Sequence, residues 1–387
     1  MSDSHMNNQR NKQIVWDYWQ RMNHARPEEV PGLVRKAFHS NVNWNGPHPI
    51  NQIMGVDALI ADFWQPLLSS FPDLKRTADI LMGGTHLDQT FWPADPGDGW
   101  VSGTGYLTGT FMKDWLGIPA TGRKTNIHFG QFFMIRGEKI AASYVVLDIL
   151  SVIQQAGFQV LPPALGAEGG KVQKPQGGDG VILTEQDELE SRKTSQLFRA
   201  MVSGMRRYVR GRDGGNLQSM DQQNYWHPDF HWYGPTGVGA SHNRAEYQDF
   251  HQRPWLTGFG DRGNEGLGES TGQLLGYIAE GQYLSLGGWD GKYSRQNGEY
   301  QGVPASGNIV TIRDFDWYKR VGDDLIQNWV TIDMVDLFNQ MGIDLFDRMH
   351  RQHELRKRGI KWWDLPVEGM GENLAGLSLA ADGRRKF

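Results

Sequence analysis

Two aspartates stand where a carboxylate is costly. Asp148 closes an alternating run that includes Phe132, Tyr144 and Val146, and Asp333 closes a second run with Phe315, Trp317, Trp329 and Thr331. In a strand, residues two apart share a face, and a hairpin sets residues of constant index sum opposite each other. With the first turn at Gly137–Glu138, His128 comes beside Asp148 on a face that is otherwise apolar and aromatic. The second run puts Arg313 beside Asp333. Desolvation on such a face raises a carboxyl pKa and poises the group as a general base. His128 would orient Asp148 or donate a hydrogen bond to a developing enolate. Arg313 would keep Asp333 ionised, or bind an anionic or carbonyl-bearing ligand. A structural reading stands beside the catalytic one. Asp is a favoured N-cap, and ILSVIQQAG after Asp148 reads as a helix. A buried Arg–Asp pair is a routine structural unit as well.

The elements that position these groups occur twice. Residues from Gly117 to Gly157 align without a gap on Gly302 to Gly342, at a constant offset of 185. Gly117 and Gly302, Pro119 and Pro304, Gly122 and Gly307, Gly137 and Gly322, Asp148 and Asp333, and Gln155 and Gln340 are identical pairs. Upstream, NVNWNGP around Trp44 answers DFHWYGP around Trp232, and Asp62-Phe63 answers Asp249-Phe250. A self-similar period of this length means a repeated unit of structure. Each copy opens with an amphipathic helix, near Gln13–Met22 and near Gln196–Tyr208. A short aromatic strand with a Gly-Pro turn, a second helix, glycine-interrupted strands and a closing hairpin follow. The expected class is α+β, two cone-shaped barrel domains, each a curved antiparallel sheet wrapped on helices. Domain one spans 1–158 and domain two 191–346. The Gly/Pro-rich stretch 159–190 reads as a linker or extended strap, and 347–387 as a basic, Trp-containing tail. In that tail Trp362-Trp363 suggests docking on the chain's own body or on a second subunit.

Composition removes several classes of function. The 387 residues have a net charge of −5, without the basic surface that a nucleic-acid or anionic-membrane binder needs. No apolar run is long enough to span a membrane, and MSDSHMNNQRNKQ lacks the apolar core of a secretory signal. The cytoplasm is the default compartment. The absence of cysteine excludes disulfides, thiolate nucleophiles and cysteine-bound zinc. His227 and His231 are separated by Pro228 and unsuited to a helical metal site, and His350 and His353 lack an obvious third ligand. Phosphate-binding and dinucleotide fingerprints are absent too, so no metal or cofactor is expected. The 15 tryptophans either fill two small cores or line pockets for ring-shaped ligands. Trp44, Phe132, Tyr144, Trp232, Arg313, Trp317 and Trp329 are the candidate ligand-binding residues.

The string GIPATG, the hairpin at Gly137-Glu138-Lys139-Ile140, and Tyr144 four residues before Asp148 resemble the SnoaL-like branch of the nuclear-transport-factor-two-like superfamily. Gly298-Glu299-Tyr300, GVPASG and Trp329 with Asp333 are similar in copy two, and Phe71-Pro72-Asp73-Leu74 resembles that family's FPDL element. Copy one departs from the pattern with Lys113-Asp114-Trp115, and copy two lacks the FPDL string. The resemblance implies cone-shaped polyketide-cyclase-like domains with a pocket at the open end. It further implies an aspartate that removes a proton alpha to a carbonyl, without metal or cofactor. Its carry-over falls on Asp148 and Asp333, with His128 as partner in copy one only. Three readings compete: a cyclase, isomerase or lyase acting on a small cyclic or polyketide-like substrate, a non-catalytic binder of a planar or sugar-like ligand, and a structural tandem. In each, the copies are expected to pack as an intramolecular pseudo-dimer, with a homodimer of the chain as a further level.

Overall fold

The computed structural model describes residues 3–85, 99–260, 273–290 and 294–360, together with the short strands Ser378–Leu379 and Arg385–Lys386. Copy one builds β1 (Phe38–Asn45), β2 (Gln52–Met54), β3 (Lys75–Gly84), β4 (Gly99–Thr110), β5 (Lys124–Arg136) and β6 (Lys139–Leu147). Copy two builds β7 (Trp226–Tyr233), β8 (Ala240–Ser241), β9 (Gln273–Glu280) and β10 (Tyr283–Trp289). The short β11 (Ser294–Arg295) and β12 (Ile309–Val310) pair with each other before β13 (Asp314–Val321) and β14 (Asp324–Ile332). The two main sheets have matching orders, β2-β1-β6-β5-β4-β3 and β8-β7-β14-β13-β10-β9. Neither is purely antiparallel as expected, because β1 runs parallel to β6 and β7 parallel to β14. The first and last strands of a copy are joined by the whole intervening chain, so no tight turn forces them antiparallel.

The first helix is longer than its apolar period, Asp3–His24 instead of Gln13–Met22. Val15, Tyr18 and Trp19 bury one face of it on sheet one. Its polar first half is ordered by copy two, where buried Lys12 pairs with Glu280 of β9 and Asn8 Nδ2 donates to the same carboxylate at 3.1 Å. The corresponding helix of copy two spans Glu188–Met205, and Asp187 caps it by accepting from Leu189 N at 2.7 Å. The second helix of each copy carries a π-helical stretch, Leu59–Trp64 and Gln248–Gln252, just before Pro66 and Pro254. Proline has no N–H for the ladder, and the wider turn accommodates the lost bond. Even this irregularity is repeated.

In the first hairpin Arg136 pairs with Lys139, Phe132 with Tyr144 and Phe129 with Leu147, around a turn in which Gly137 has φ +63°. One face of the sheet, with Phe129 and Phe133, packs on Trp19 of the first helix at 5.6 and 5.9 Å. The other face packs on sheet two. Across that seam Phe132 meets Phe315 at 4.8 Å and Trp317 at 5.6 Å, and Tyr144 meets Trp289 at 5.4 Å. At its centre Ser102 Oγ and Ser285 Oγ are 2.8 Å apart, and Trp317 Nε1 donates to Ser102 Oγ at 3.2 Å. Gly130 permits the close approach, since a Cβ there would lie 2.9 Å from Phe315 Cδ2 and would overlap Thr331.

The stretch from 159 to the helix at Glu188 is a strap held by both copies, and the expected start of domain two at 191 falls inside that helix. Ala167 exchanges two 2.9 Å backbone bonds with Ala240 of β8. Farther on, Trp329 Nε1 donates to Gln173 O at 2.8 Å, and Ile182 N donates to Leu81 O of β3 at 2.8 Å. The basic run begins as a helix, Leu345–Lys357, that folds back on copy one. Buried Arg348 donates to Val160 O at 3.0 Å, Gln352 Nε2 donates to Gln159 O at 2.7 Å, and Arg356 lies over the Phe158 ring. The boundary placed at 346 therefore falls inside a helix, while Trp362-Trp363 lies outside the described residues. Among the described residues no helix is long and apolar enough to cross a membrane.

Candidate functional site

Most of the aromatic residues singled out from sequence are structural. Phe132, Tyr144, Trp317 and Trp329 are buried in the seam between the sheets and form its core, not a ligand wall. Trp44 and Trp232 sit inside their own copies, Trp44 against Phe63 at 4.5 Å and Trp232 stacked on His251 at 4.1 Å. Each indole lies beneath the Gly-Pro turn that follows it. A Cβ on Gly46 or Gly234 would overlap the ring two residues earlier, which accounts for the repeated Trp-x-Gly-Pro.

The two aspartates have matched and reciprocal places. Asp148 caps the helix Ile149–Gln155, its Oδ1 accepting from Ser151 N at 2.9 Å. Its Oδ2 reaches copy two, accepting from Thr236 N at 3.1 Å and from Thr236 Oγ1 at 2.7 Å. Asp333 caps Met334–Gln340 through Asp336 N at 3.2 Å, and its Oδ2 accepts from His48 N of copy one at 2.8 Å. Each aspartate thus holds a helix of its own copy and the Gly-Pro turn of the other.

A cavity of about 260 Å³ opens where Asp148 meets copy two, lined by Tyr106, His128, Asp148, Glu168 and Thr236 among others. β5 delivers His128, the end of β6 delivers Asp148, β4 delivers Tyr106, and the strap delivers Glu168. His128 lies stacked on Tyr106 at 5.0 Å, with Nε2 3.0 Å from Thr104 Oγ1. Thr104 gives its only hydroxyl proton to Phe129 O at 2.7 Å, so at the imidazole it accepts. The proton therefore sits on Nε2 and Nδ1 keeps its lone pair. No hydrogen bond or ion pair joins the His128 and Asp148 side chains, although His128 O accepts from Asp148 N at 2.9 Å. The carboxylate has turned toward Ser151 and Thr236 instead.

Burial dominates the electrostatics of this cavity. It lowers the His128 pKa to about 4, so the ring is neutral at pH 7. It also raises Asp148, against the bonds from Thr236 and Ser151. Burial raises Glu168 as well, and the charge of Asp148 adds to that rise, while the bond from Gly237 N opposes it. Two carboxyl groups and one neutral imidazole thus face a single small space. Both Asp148 and Glu168 therefore hold a proton more tightly than a free carboxyl does.

The corresponding seat in copy two is filled by Arg313. Its Nε donates to Asp290 Oδ1 at 3.0 Å and its Nη1 to Asn51 Oδ1 at 3.0 Å, with Asp333 at 3.5 Å and Asp336 at 3.8 Å. Burial and then the nearby Asp336 raise Asp333, against His48 N and Arg313. Sequence reasoning missed Glu168 and Thr236. Thr236 was detectable as the residue after a repeated Gly-Pro, but Glu168 lies in a glycine-rich strap with no period to place it. Among the described residues no group of three side chains is set to hold a metal ion.

No family model matches the sequence, and no curated protein matches it either. Solved structures similar to parts of the chain include a protein assigned as a SnoaL-like polyketide cyclase from Jannaschia sp. CCS1. It has 16% identity and a TM-score of 0.31 over 40% of this chain and 94% of its own. TsrD from Streptomyces laurentii has 21% identity and a TM-score of 0.29 over 38% of this chain and 96% of its own. An NTF2-like protein from Burkholderia thailandensis E264 has 19% identity and a TM-score of 0.28 over 37% of this chain and 94% of its own.

Proposed function

We propose that the chain is a proton-transfer enzyme of the cyclase, isomerase or lyase kind, acting next to a carbonyl at the cavity between its two copies. The observation that carries this reading is the convergence of Asp148, Glu168 and neutral His128 on one space of about 260 Å³. Two carboxyl groups that share a cavity divide into an ionised base and a protonated acid. Asp148, with three donors on its oxygens, is the base that removes the proton alpha to the carbonyl. Glu168, raised further by the charge of Asp148, is the acid that hydrogen-bonds the enolate oxygen. His128 contributes a neutral acceptor at Nδ1. The cavity is slightly smaller than the roughly 300–1,000 Å³ usual for drug-sized ligands, so the substrate is a compact ring and not an extended polyketide.

Solvent deuterium exchange at the alpha carbon of compact cyclic ketones and 1,3-dicarbonyls, chosen by thermal stabilisation of the protein, tests this reading. A positioned base contributes about 10²–10⁴-fold, so Asp148→Asn should lose at least a hundredfold while Asp333→Asn stays close to wild type. Equal losses in the two variants would exclude Asp148 as the base. One observation favours a second reading, a binder without turnover: both oxygens of Asp148 already hold protein groups. Under that reading ligands stabilise the protein and no exchange occurs.

A further inference from the structure

Copy two holds a cation at the place where copy one holds none. His128 and Arg313 are equivalent in the repeat, and the backbone fixes them alike: His128 O accepts from Asp148 N, and Arg313 O from Asp333 N, both at 2.9 Å. The neighbouring strand sets an aromatic ring opposite each. Tyr106 of β4 pairs with His128, and Trp289 of β10 follows the Gly288–Asp314 pair to stand across from Arg313. In copy two the guanidinium lies over the Trp289 ring at 5.1 Å, with Asp333 Oδ2 3.5 Å from Nη1. An aromatic face and a carboxylate together make a seat for positive charge. Copy one keeps the ring and the aspartate, but the shorter imidazole stacks on Tyr106 and makes no bond to the Asp148 carboxyl. Copy two also brings Asp290 and Asp336 to its arginine. Copy one has Ser151 at the Asp336 position and brings Glu168 from the exposed strap.

Among the described residues no lysine or arginine lines the cavity. Lys171 of the strap is engaged beside it, donating to Thr108 Oγ1 at 3.2 Å over the Tyr106 ring. The donors that reach Asp148, from Ser151 and Thr236, are all neutral. Gln155 Nε2 is committed to Asn126 O and Ser151 Oγ. The groups left facing the space are acceptors. They are the carboxyls of Asp148 and Glu168 and the Nδ1 of His128, a residue only 5% exposed whose Nδ1 has no partner among the described residues. A simple ketone brings one more acceptor to this wall. An alkylammonium brings both donors and charge, and with a pKa of about 10 it keeps its proton beside an imidazole lowered to about 4. Its charge also favours the ionised form of Asp148, which burial disfavours.

We propose that the seam cavity takes a compact cyclic ligand bearing a protonated amine, which donates to His128 Nδ1 and stands against Asp148 where copy two places the Arg313 guanidinium. As a ligand class this rests on the cavity alone. As a substrate class, a cyclic amino ketone, it rests on the reading of Asp148 as the base. Thermal unfolding of the full chain at pH 7 and constant ionic strength tests it with piperidinium, piperidin-3-one and cyclohexanone, rings of one size that differ in amine and carbonyl. Both amines should raise Tm saturably, at concentrations about tenfold or more below those at which cyclohexanone acts, the factor expected of one hydrogen bond to a charged group. His128→Arg builds in the cation of copy two, on a scaffold that already holds one at the equivalent position, and should abolish the amine effect. Asp148→Asn should bring the amines and cyclohexanone close to equal. The wild-type comparison decides the matter should neither variant fold. Solvent deuterium exchange above the protein-free rate reads the base separately. Amine-selective stabilisation without exchange in piperidin-3-one supports the ammonium site and removes the base reading alone. Equal stabilisation of the wild type by piperidinium and cyclohexanone overturns the proposal, as does an amine effect that survives in His128→Arg.

Discussion

Thr236→Val removes one hydroxyl and leaves the shape of the seam almost unchanged. Thr236 Oγ1 donates at 2.7 Å to Asp148 Oδ2, and Thr236 N donates to the same oxygen at 3.1 Å. A hydrogen bond to a charged group contributes about 1.5–3 kcal/mol, so Thr236→Val should destabilise the protein by roughly 2 kcal/mol at pH 7. Asp148→Asn changes the same acceptor. If the amide oxygen keeps the cap on Ser151 N, its NH₂ turns toward Thr236 and leaves the Thr236 N–H without an acceptor. That variant should lose about 1–3 kcal/mol. In the Asp148→Asn background the further cost of Thr236→Val should shrink by about 1 kcal/mol or more, because the two changes remove one interaction. Urea unfolding of the four proteins, monitored by tryptophan fluorescence, completes the cycle. His48→Ala is the contrast. On the Asp333 side the donor is the His48 backbone N–H, so that substitution should cost no more than about 0.5 kcal/mol. Strictly additive losses for Asp148 and Thr236 would refute the clamp.

Gly130→Ala should destabilise by about 1–3 kcal/mol, since its Cβ must displace Phe315 and Thr331 across the seam; calorimetry that finds Tm unchanged would contradict the close approach. Lys12→Met should cost about 3–5 kcal/mol by leaving Glu280 buried without its cation, and adding Glu280→Leu should recover much of the loss in urea unfolding. Burial raises Asp333 to about 7, so its contribution is fully present below the ordinary 3.8 and is lost as pH climbs through the folded value. Asp333→Asn cannot ionise, and its urea midpoint should therefore fall less than that of wild type between pH 4 and pH 7. An identical pH slope in both proteins would count against a raised Asp333.

The repeat and the two hairpins could be read from the residues because glycine turns and paired aromatics recur at one offset. The parity of each strand was legible too, since His128, Phe132, Tyr144 and Val146 do share a face. What that face packs against was not. β5 is buried on both sides, with Phe129 and Phe133 toward the helices and Phe132 toward the other sheet. A strand buried on both faces loses the polar side that would tell seam from pocket. Glu168 escaped for a different reason. It is placed by the strap's pairing with β8, a contact between segments far apart in sequence that no local pattern encodes.

The two copies diverge on both faces of the sheet. On the seam face Phe132 answers Trp317 and Tyr144 answers Trp329, while Gly130 answers Phe315 and His128 answers Arg313. Contact across the junction couples such changes: Gly130, without a side chain, leaves the room that Phe315 fills. The inward faces differ as well. Where copy one has Phe129, Gln131 and Phe133, copy two has Asp314, Asp316 and Tyr318 at the same offset. There the Tyr318 hydroxyl donates to Asp316 Oδ1 at 3.2 Å, and Asn328 Nδ2 approaches the same oxygen at 3.3 Å. One interior therefore holds the Arg76 guanidinium over Trp19 and Phe129, and the other presents carboxylates, on scaffolds alike down to their π-helical turns.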